Sequence, residues 1–404
     1  MTESMLATLG AIISIAKGKK HEITDTPSGK AKRLIGIDDL RNDDLIRYTN
    51  DTSGTEAISD DVLIAWDGAN AGTIGYGKNG YIGSTIARLR IRSGKQLFPP
   101  FLGLYLKSKF DYLRQTATGA TIPHINRNAL ENISLPVTEF DDQIRIAHLL
   151  GKVEGLIAQR KQHLQQLDDL LKSVFLEMFG DPVRNEKRWD KKQFSELLDD
   201  IESGKSPKCE ARAATADEWG VLKLGAVTRC RFDESENKAL PQDVPPSVRD
   251  EVKAGDLLFS RKNTYELVAA CAYVFHTRPR LQMPDLIFRF VFKQDAEINP
   301  IFMWKLLTSG SQRKAIQSLA AGAAGSMPNI SKANLKTVHL PTPPLPLQNQ
   351  FAAIVEKVEG IKARFQQSLA DLETLYGALS QKAFKGELDL TNVPLPSNAH
   401  SHAA

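Results

Sequence analysis

Cysteine is scarce. Three occur among 404 residues, Cys209, Cys230 and Cys271, and none stand in C-x-x-C spacing. Neither a zinc site nor a disulfide framework is expected, and a reduced, cytoplasmic protein is. No apolar run reaches the length that spans a bilayer, so no membrane partner is expected. The apolar opening tract LATLGAIISIA is preceded by Glu3 and by no Lys or Arg, which argues against an export signal. With 42% apolar and 25% charged residues the composition is that of a folded globular chain, long enough for two or three domains. A net charge of +4 permits nucleic acid as a partner without demanding it.

Catalytic signatures are equally thin. GTIGYGKNG, residues 72–80, has Gly72, Gly77 and Lys78 in phosphate-loop spacing, but Asn79 replaces the Ser or Thr that holds magnesium. A phosphate loop also opens a helix, whereas YIGSTIARLRI behind it alternates and reads as a strand. A second fragment, Gly204-Lys205-Ser206, lacks the first glycine, Asp199 standing in its place. There is no G-x-G-x-x-G, no H-E-x-x-H and no G-x-S-x-G. FPPF, residues 98–101, has the form of the element that grips the target amine in adenine methyltransferases, yet Phe98 replaces its Asn or Asp. No catalytic residue, metal site or bound cofactor is expected.

The chain is instead written twice. KVEG occurs at 152–155 and again at 357–360, and at the same offset Ile125 matches Ile330, Leu130 matches Leu335, Gln143 matches Gln348 and Phe179 matches Phe384. Upstream the offset drifts, as loops of unequal length require: DVLIA (61–65) pairs with DLLFS (256–260), and Ile15, Gly18 and Lys19 pair with Ile201, Gly204 and Lys205. A unit this long is no solenoid repeat; it implies tandem domains of one fold.

Each copy ends in a heptad-patterned helix. In the first, apolar residues recur at Ile146, Leu150, Val153, Ile157, Leu164, Leu167, Leu171, Val174 and Met178; in the second, at Phe351, Val355, Val358, Phe365, Leu369, Leu372, Tyr376 and Leu379, with Lys362 as the misfit. Residues 146–178 make a rod of roughly 50 Å at about 1.5 Å per residue. Two such helices in one chain can pair antiparallel. Gly155 and Gly360, at equivalent places, suggest a close backbone approach or a bend.

Between the helices, short strands (DVLIAW, TIARLRI, GVLKLGAV, DLLFS, AACAYVF, IFRFVF) alternate with helical stretches at 101–117 and 301–320, so mixed α/β (α+β) domains follow. Their loops diverge more than their helices and suit DNA: small hydroxyl, amide and basic side chains beside Gly and Pro can reach phosphates and base edges. The candidates are Lys19, Lys20, Asn79, Thr121, His124, Asn126 and Arg127 in the first copy, and Lys205, Ser206, Lys208, Arg261, Lys262, Asn263, Ser326, Asn329 and Lys332 in the second. Arg88, Arg90 and Arg92 share a strand face and either track phosphates or face solvent.

The duplicated Leu-Pro…Gln…heptad-helix pattern (LPVTEFDDQIRIAHLLGKVEG and LPTPPLPLQNQFAAIVEKVEG), with MFGDP at 178–182 and SGKSPK at 203–208, resembles specificity subunits of type I restriction–modification systems. That resemblance implies target-recognition domains at 1–140 and 181–345, spacer helices at 141–180 and 346–388, and a flexible tail at 389–404. The implied fold is two tandem domains joined by an antiparallel coiled coil with internal pseudo-two-fold symmetry. It implies double-stranded DNA as ligand, two methyltransferase subunits and an ATP-dependent restriction subunit as partners, and S-adenosylmethionine, ATP and Mg held by those partners. The rod then acts as a ruler of about 14 base pairs less the domains' overhang. Two other readings stand beside this one: a coiled-coil DNA-binding regulator acting alone, and a nucleotide-dependent enzyme using residues 72–78.

Overall fold

The computed structural model describes residues 7–119, 121–136, 138–321 and 327–396. The chain divides into two units, one of residues 1–161 with 367–404 and the other of residues 162–366. Both are mixed helix–strand folds.

In the first unit an antiparallel sheet has the order Ile13–Lys17, Ile86–Ile91, Val62–Ala65, Ile74–Tyr76, with Ile15 opposite Leu89. A second sheet orders Arg47–Thr49, Lys32–Ile35, Gly80–Ile82 and Glu56–Ala57, with Lys32–Ile35 parallel to Gly80–Ile82. Val62–Ala65 is buried on both faces, which accounts for its unbroken apolar run. The tract YIGSTIARLRI is therefore two strands in two sheets, interrupted at residues 83–85.

The second unit repeats this plan. Leu198–Ser203, Ile287–Phe292, Leu257–Ser260 and Cys271–Tyr273 form its antiparallel sheet, with Ile201 opposite Phe290. Asn237–Ala239, Gly220–Leu222 and Leu281–Gln282 form the smaller sheet, again with one parallel pair. The expected strand GVLKLGAV stops at Leu222, and Gly225–Thr228 is a helical turn. The expected helix at 101–117 is two, Pro99–Ser108 and Phe110–Gln115, parted at Lys109. The stretch at 301–320 is likewise Pro300–Thr308 and Gly310–Gln317.

The two long helices are Phe140–Phe179, of 40 residues, and Leu345–Lys385, of 41. The first ends at Gly180 with φ +74° and the second at Gly386 with φ +72°, the left-handed residue that stops a helix. In the first unit Lys161 pairs with Glu373 at 2.8 Å, and the Tyr376 hydroxyl donates to Glu154 at 2.9 Å. In the second unit Lys362 pairs with Asp168 at 2.5 Å, and the Phe175 and Phe351 rings lie 5.5 Å apart. Numbering rises on one helix as it falls on the other, so the pieces within each unit run antiparallel.

The heptad residues sit where their periodicity puts them, with Ile146, Leu150, Leu171, Phe351 and Val355 buried in their units' cores. Lys362, the apparent misfit, is 1% exposed and its ammonium is satisfied by Asp168 and Glu359. Gly155 and Gly360 do not mark a close approach: a methyl group added at either meets nothing within 4 Å. The expected tail at 389–404 is held in part, because Leu390 packs on the first unit's core and the Val393 carbonyl accepts from Arg145 at 3.0 Å. Residues 397–404 lie outside the described ones.

Candidate nucleic-acid interface

Gly18 and Gly204 start both sites. Each follows the first strand of its main sheet, and each lets that strand's end lie against a neighbouring backbone. A methyl at Gly18 falls 2.2 Å from the Gly83 carbonyl oxygen, and one at Gly204 falls 1.9 Å from that of Met283. Only glycine fits. The basic residues behind them, Lys19 and Lys20 in one unit and Lys205 and Lys208 in the other, are thereby carried out as exposed side chains.

The central strands supply the second segment. Val62–Ala65 runs into Trp66 and Asp67, and Leu257–Ser260 runs into Arg261 and Lys262. A returning loop is stitched to each by the same hydrogen bonds. The Ile125 N–H donates to the Trp66 carbonyl at 2.9 Å, and the Ile330 N–H to that of Arg261 at 2.8 Å. Gly68 N–H donates to Pro123 at 2.9 Å, and Asn263 N–H to Pro328 at 3.3 Å. His124 exchanges a backbone pair with Thr118, and Asn329 exchanges one with Ala321. Trp66 and Arg261, Asp67 and Lys262, and His124 and Asn329 thus occupy equivalent places.

The chemistry at those places differs. In the first unit the His124 ring nitrogen Nδ1 is 2.6 Å from Asp67, which also takes the Lys17 ammonium at 2.9 Å. Burial works against the Asp67 charge, but the hydrogen bonds from His124 and Lys17 outweigh it and hold the carboxyl below its usual range. In the second unit the Arg261 guanidinium and the Lys332 ammonium both lie over the Phe288 ring, at 5.3 and 5.6 Å. The Ser206 hydroxyl donates to Asp285.

Several of the DNA-contact candidates also have a role within the fold. The Asn126 side chain caps Arg127–Glu131 by accepting from the Ala129 N–H at 3.2 Å, and its counterpart Ser331 caps Lys332–Lys336 through the Asn334 N–H at 3.1 Å. Arg127 pairs along its own helix with Glu131 at 2.8 Å. Asn263 is buried and accepts from the Thr264 N–H at 2.9 Å. Thr121 is exposed on the returning loop, and Ser326 lies outside the described residues.

Asn79 stands apart from the cluster. It accepts from the Ser59 N–H at 2.8 Å in the connection between Ile74–Tyr76 and Gly80–Ile82. Beside it Lys78 pairs with Asp43 at 2.7 Å and, with Arg33, keeps that carboxyl below its usual range. Gly80, at φ +149°, lies where a methyl would be 2.4 Å from the Arg33 carbonyl oxygen. Gly80 thus serves a tight passage between two sheets, while Gly77, at φ +71° with nothing within 4 Å of an added methyl, serves the turn. Arg88, Arg90 and Arg92 are also committed: Arg90 grips Asp61 with two hydrogen bonds of 2.8 and 2.7 Å, Arg88 donates to the Glu56 carbonyl and Arg92 to that of Ile13.

Lys17, Trp66 and Asp67 belong to the site and were not among the sequence candidates. The signal for Trp66 and Asp67 was the pairing of DVLIA with DLLFS, which gives them the places of Arg261 and Lys262; none pointed to Lys17. Among the described residues no His, Cys, Asp and Glu cluster could hold a metal ion, and no helix is long and apolar enough to cross a membrane.

Residues 1–168 match the family model described as the type I restriction modification DNA specificity domain. The chain is 24% identical over 376 residues to the type I restriction enzyme MjaVIII specificity subunit of Methanocaldococcus jannaschii, covering 87% of this chain and 85% of that one. It is 30% identical over 200 residues to the EcoEI specificity subunit of Escherichia coli, covering 48% of this chain and 34% of that one. The crystal structure of a type I restriction–modification S subunit from M. genitalium superposes with a TM-score of 0.61, at 16% identity, over 94% of this chain and 96% of that one. That likeness is one of fold.

Proposed function

We propose that the chain is a specificity subunit of a type I restriction–modification system and that its two units read the two halves of one split DNA sequence. It is a non-catalytic, DNA-binding specificity subunit. What goes further is the division of labour. Each unit touches its half-site with the segment after its glycine (Lys19–Lys20 or Lys205–Lys208), the end of its central strand and the returning loop.

The observation that carries this is the pair of matching carbonyls. Trp66 and Arg261 each accept from the returning loop, at 2.9 and 2.8 Å, so one scaffold presents different side chains at the same places. A duplicated scaffold with exchanged surface chemistry is what two different half-sites require.

In this reading the long helices form an antiparallel coiled coil relating two recognition domains by a pseudo-two-fold axis. At about 1.5 Å per residue a 40-residue helix is roughly 60 Å long, which sets the gap between half-sites. The helices also dock two methyltransferase subunits and an ATP-dependent restriction subunit in the cytoplasm. S-adenosylmethionine, ATP and Mg belong to those partners. The Lys78–Asp43 pair disfavours the nucleotide-binding alternative, since the lysine that would meet a phosphate already has a carboxylate.

Exchange of residues 1–140 for the same segment of another specificity subunit tests the division. Only one half of the methylated sequence should change. A change in both halves would reject the assignment of one half-site to each unit.

A further inference from the structure

The equivalent sites differ in charge, and the difference is systematic. At the strand end and returning loop of the first unit the basic side chains have carboxylates, whereas Lys19 and Lys20, like Lys205 and Lys208 in the second unit, have none within ion-pair distance among the described residues. Lys17 and His124 share Asp67, at 2.9 and 2.6 Å, and Arg127 has Glu131 at 2.8 Å. In the second unit Lys262 stands in the place of Asp67, Arg261 in that of Trp66 and Lys332 in that of Arg127. Among the described residues none of these three has a carboxylate within ion-pair distance. The stretch 322–326, Gly-Ala-Ala-Gly-Ser, contains no acid. The acid Asp285 is engaged by the Ser206 hydroxyl.

The second cluster is also positioned. Phe288 is fully buried in the main sheet and underlies both the Arg261 guanidinium and the Lys332 ammonium. A cation held on a fixed ring loses less freedom on meeting a phosphate than one on a free stem. Among the described residues the Asn329 side-chain oxygen, buried beside them, has no hydrogen-bond partner.

We propose that the second unit is the electrostatic anchor of the DNA complex, gripping backbone phosphates through Arg261, Lys262 and Lys332, while the equivalent places of the first unit are neutralised internally and add little to salt-dependent affinity beyond Lys19 and Lys20, which Lys205 and Lys208 match. The proposal rests on the reading of both clusters as DNA-facing. Each phosphate contact contributes about 0.9 to the slope of log affinity against log salt on duplex DNA. Three contacts give a slope share of about 2.7, or roughly a 40-fold loss of affinity between 50 and 200 mM salt.

The test uses the full-length chain in the complex in which it is isolated, titrated with duplex DNA that lacks the target sequence. Lys262→Gln and Lys332→Gln should each lower the slope by about 0.9. The charge-conserving double change Lys17→Gln with Asp67→Asn should leave it unchanged. Adding Asp67→Lys to Lys262→Gln should restore the lost slope. Unchanged slopes for both Lys262→Gln and Lys332→Gln, in variants that assemble normally, would overturn the anchor while leaving DNA reading intact. Equal losses from the first-unit double change would overturn the asymmetry. A parent complex without salt-dependent binding to DNA would overturn this proposal and the functional reading together.

Discussion

Gln143 and Gln348 make the same three kinds of contact in their two units. Each carboxamide is buried at the start of a long helix. The Gln143 oxygen accepts from the Phe98 N–H at 2.8 Å and its nitrogen donates to the Thr138 and Gln96 carbonyls. The Gln348 oxygen accepts from the Asn299 N–H at 2.9 Å and its nitrogen donates to the Glu297 and Pro343 carbonyls. One side chain thus ties each long helix to the segment that enters Pro99–Ser108 in the first unit and Pro300–Thr308 in the second.

Gln348→Leu should therefore be costly. It keeps the volume but strands one buried donor and leaves two carbonyls without partners, each unmet group costing about 1–3 kcal/mol. Chemical denaturation should show a loss of at least about 2 kcal/mol in the second unit. A loss under about 0.5 kcal/mol would mean that water or a shift of the backbone replaces these bonds.

Asn126→Ala and Ser331→Ala should each destabilise the protein by about 1 kcal/mol through loss of a helix cap. Neither should lower the affinity of the assembled complex for its target DNA. A marked loss of affinity in either variant, with the fold intact, would make that side chain a DNA contact as well as a cap.

Lys305 gives a pH signature. Burial, only partly opposed by Glu359, pushes its ammonium down to about 8 from the ordinary 10.5. Between those values the unfolded chain keeps the proton and the folded chain does not, so the unfolded state binds more protons and stability rises with pH. Below about pH 8 both states are protonated and the full burial penalty applies. The stability advantage of Lys305→Met over the parent should shrink as pH rises from 8 to 10, read by denaturant midpoints. A constant difference over that range would place the lysine in water.

The long helices were legible because a heptad seam is a one-dimensional signal. It even fixed the place of Lys362, although the type of residue argued against burial; the partners that make burial tolerable, Asp168 and Glu359, lie one on the facing helix and one a turn away on its own. The loops were harder. Asn126 and Ser331 look the same in sequence whether they cap a helix or face a phosphate, and short polar side chains serve both ends. Asp67 went unnoticed because an acid seldom suggests a DNA site, and its role depends on Lys17 and His124, distant in sequence. Gly155 and Gly360 looked like a packing device, but neither a buried approach nor a bend can be read from glycine alone.

The spacing between half-sites is the measurement that bears most directly on the whole account. Inserting seven residues at 161/162 and seven at 366/367 lengthens both helices in register by about 10 Å, equivalent to about 3 base pairs. Mapping methylated adenines in the host should then give the same two half-sequences separated by a gap about 3 base pairs wider. The original gap, or altered half-sequences, would contradict it.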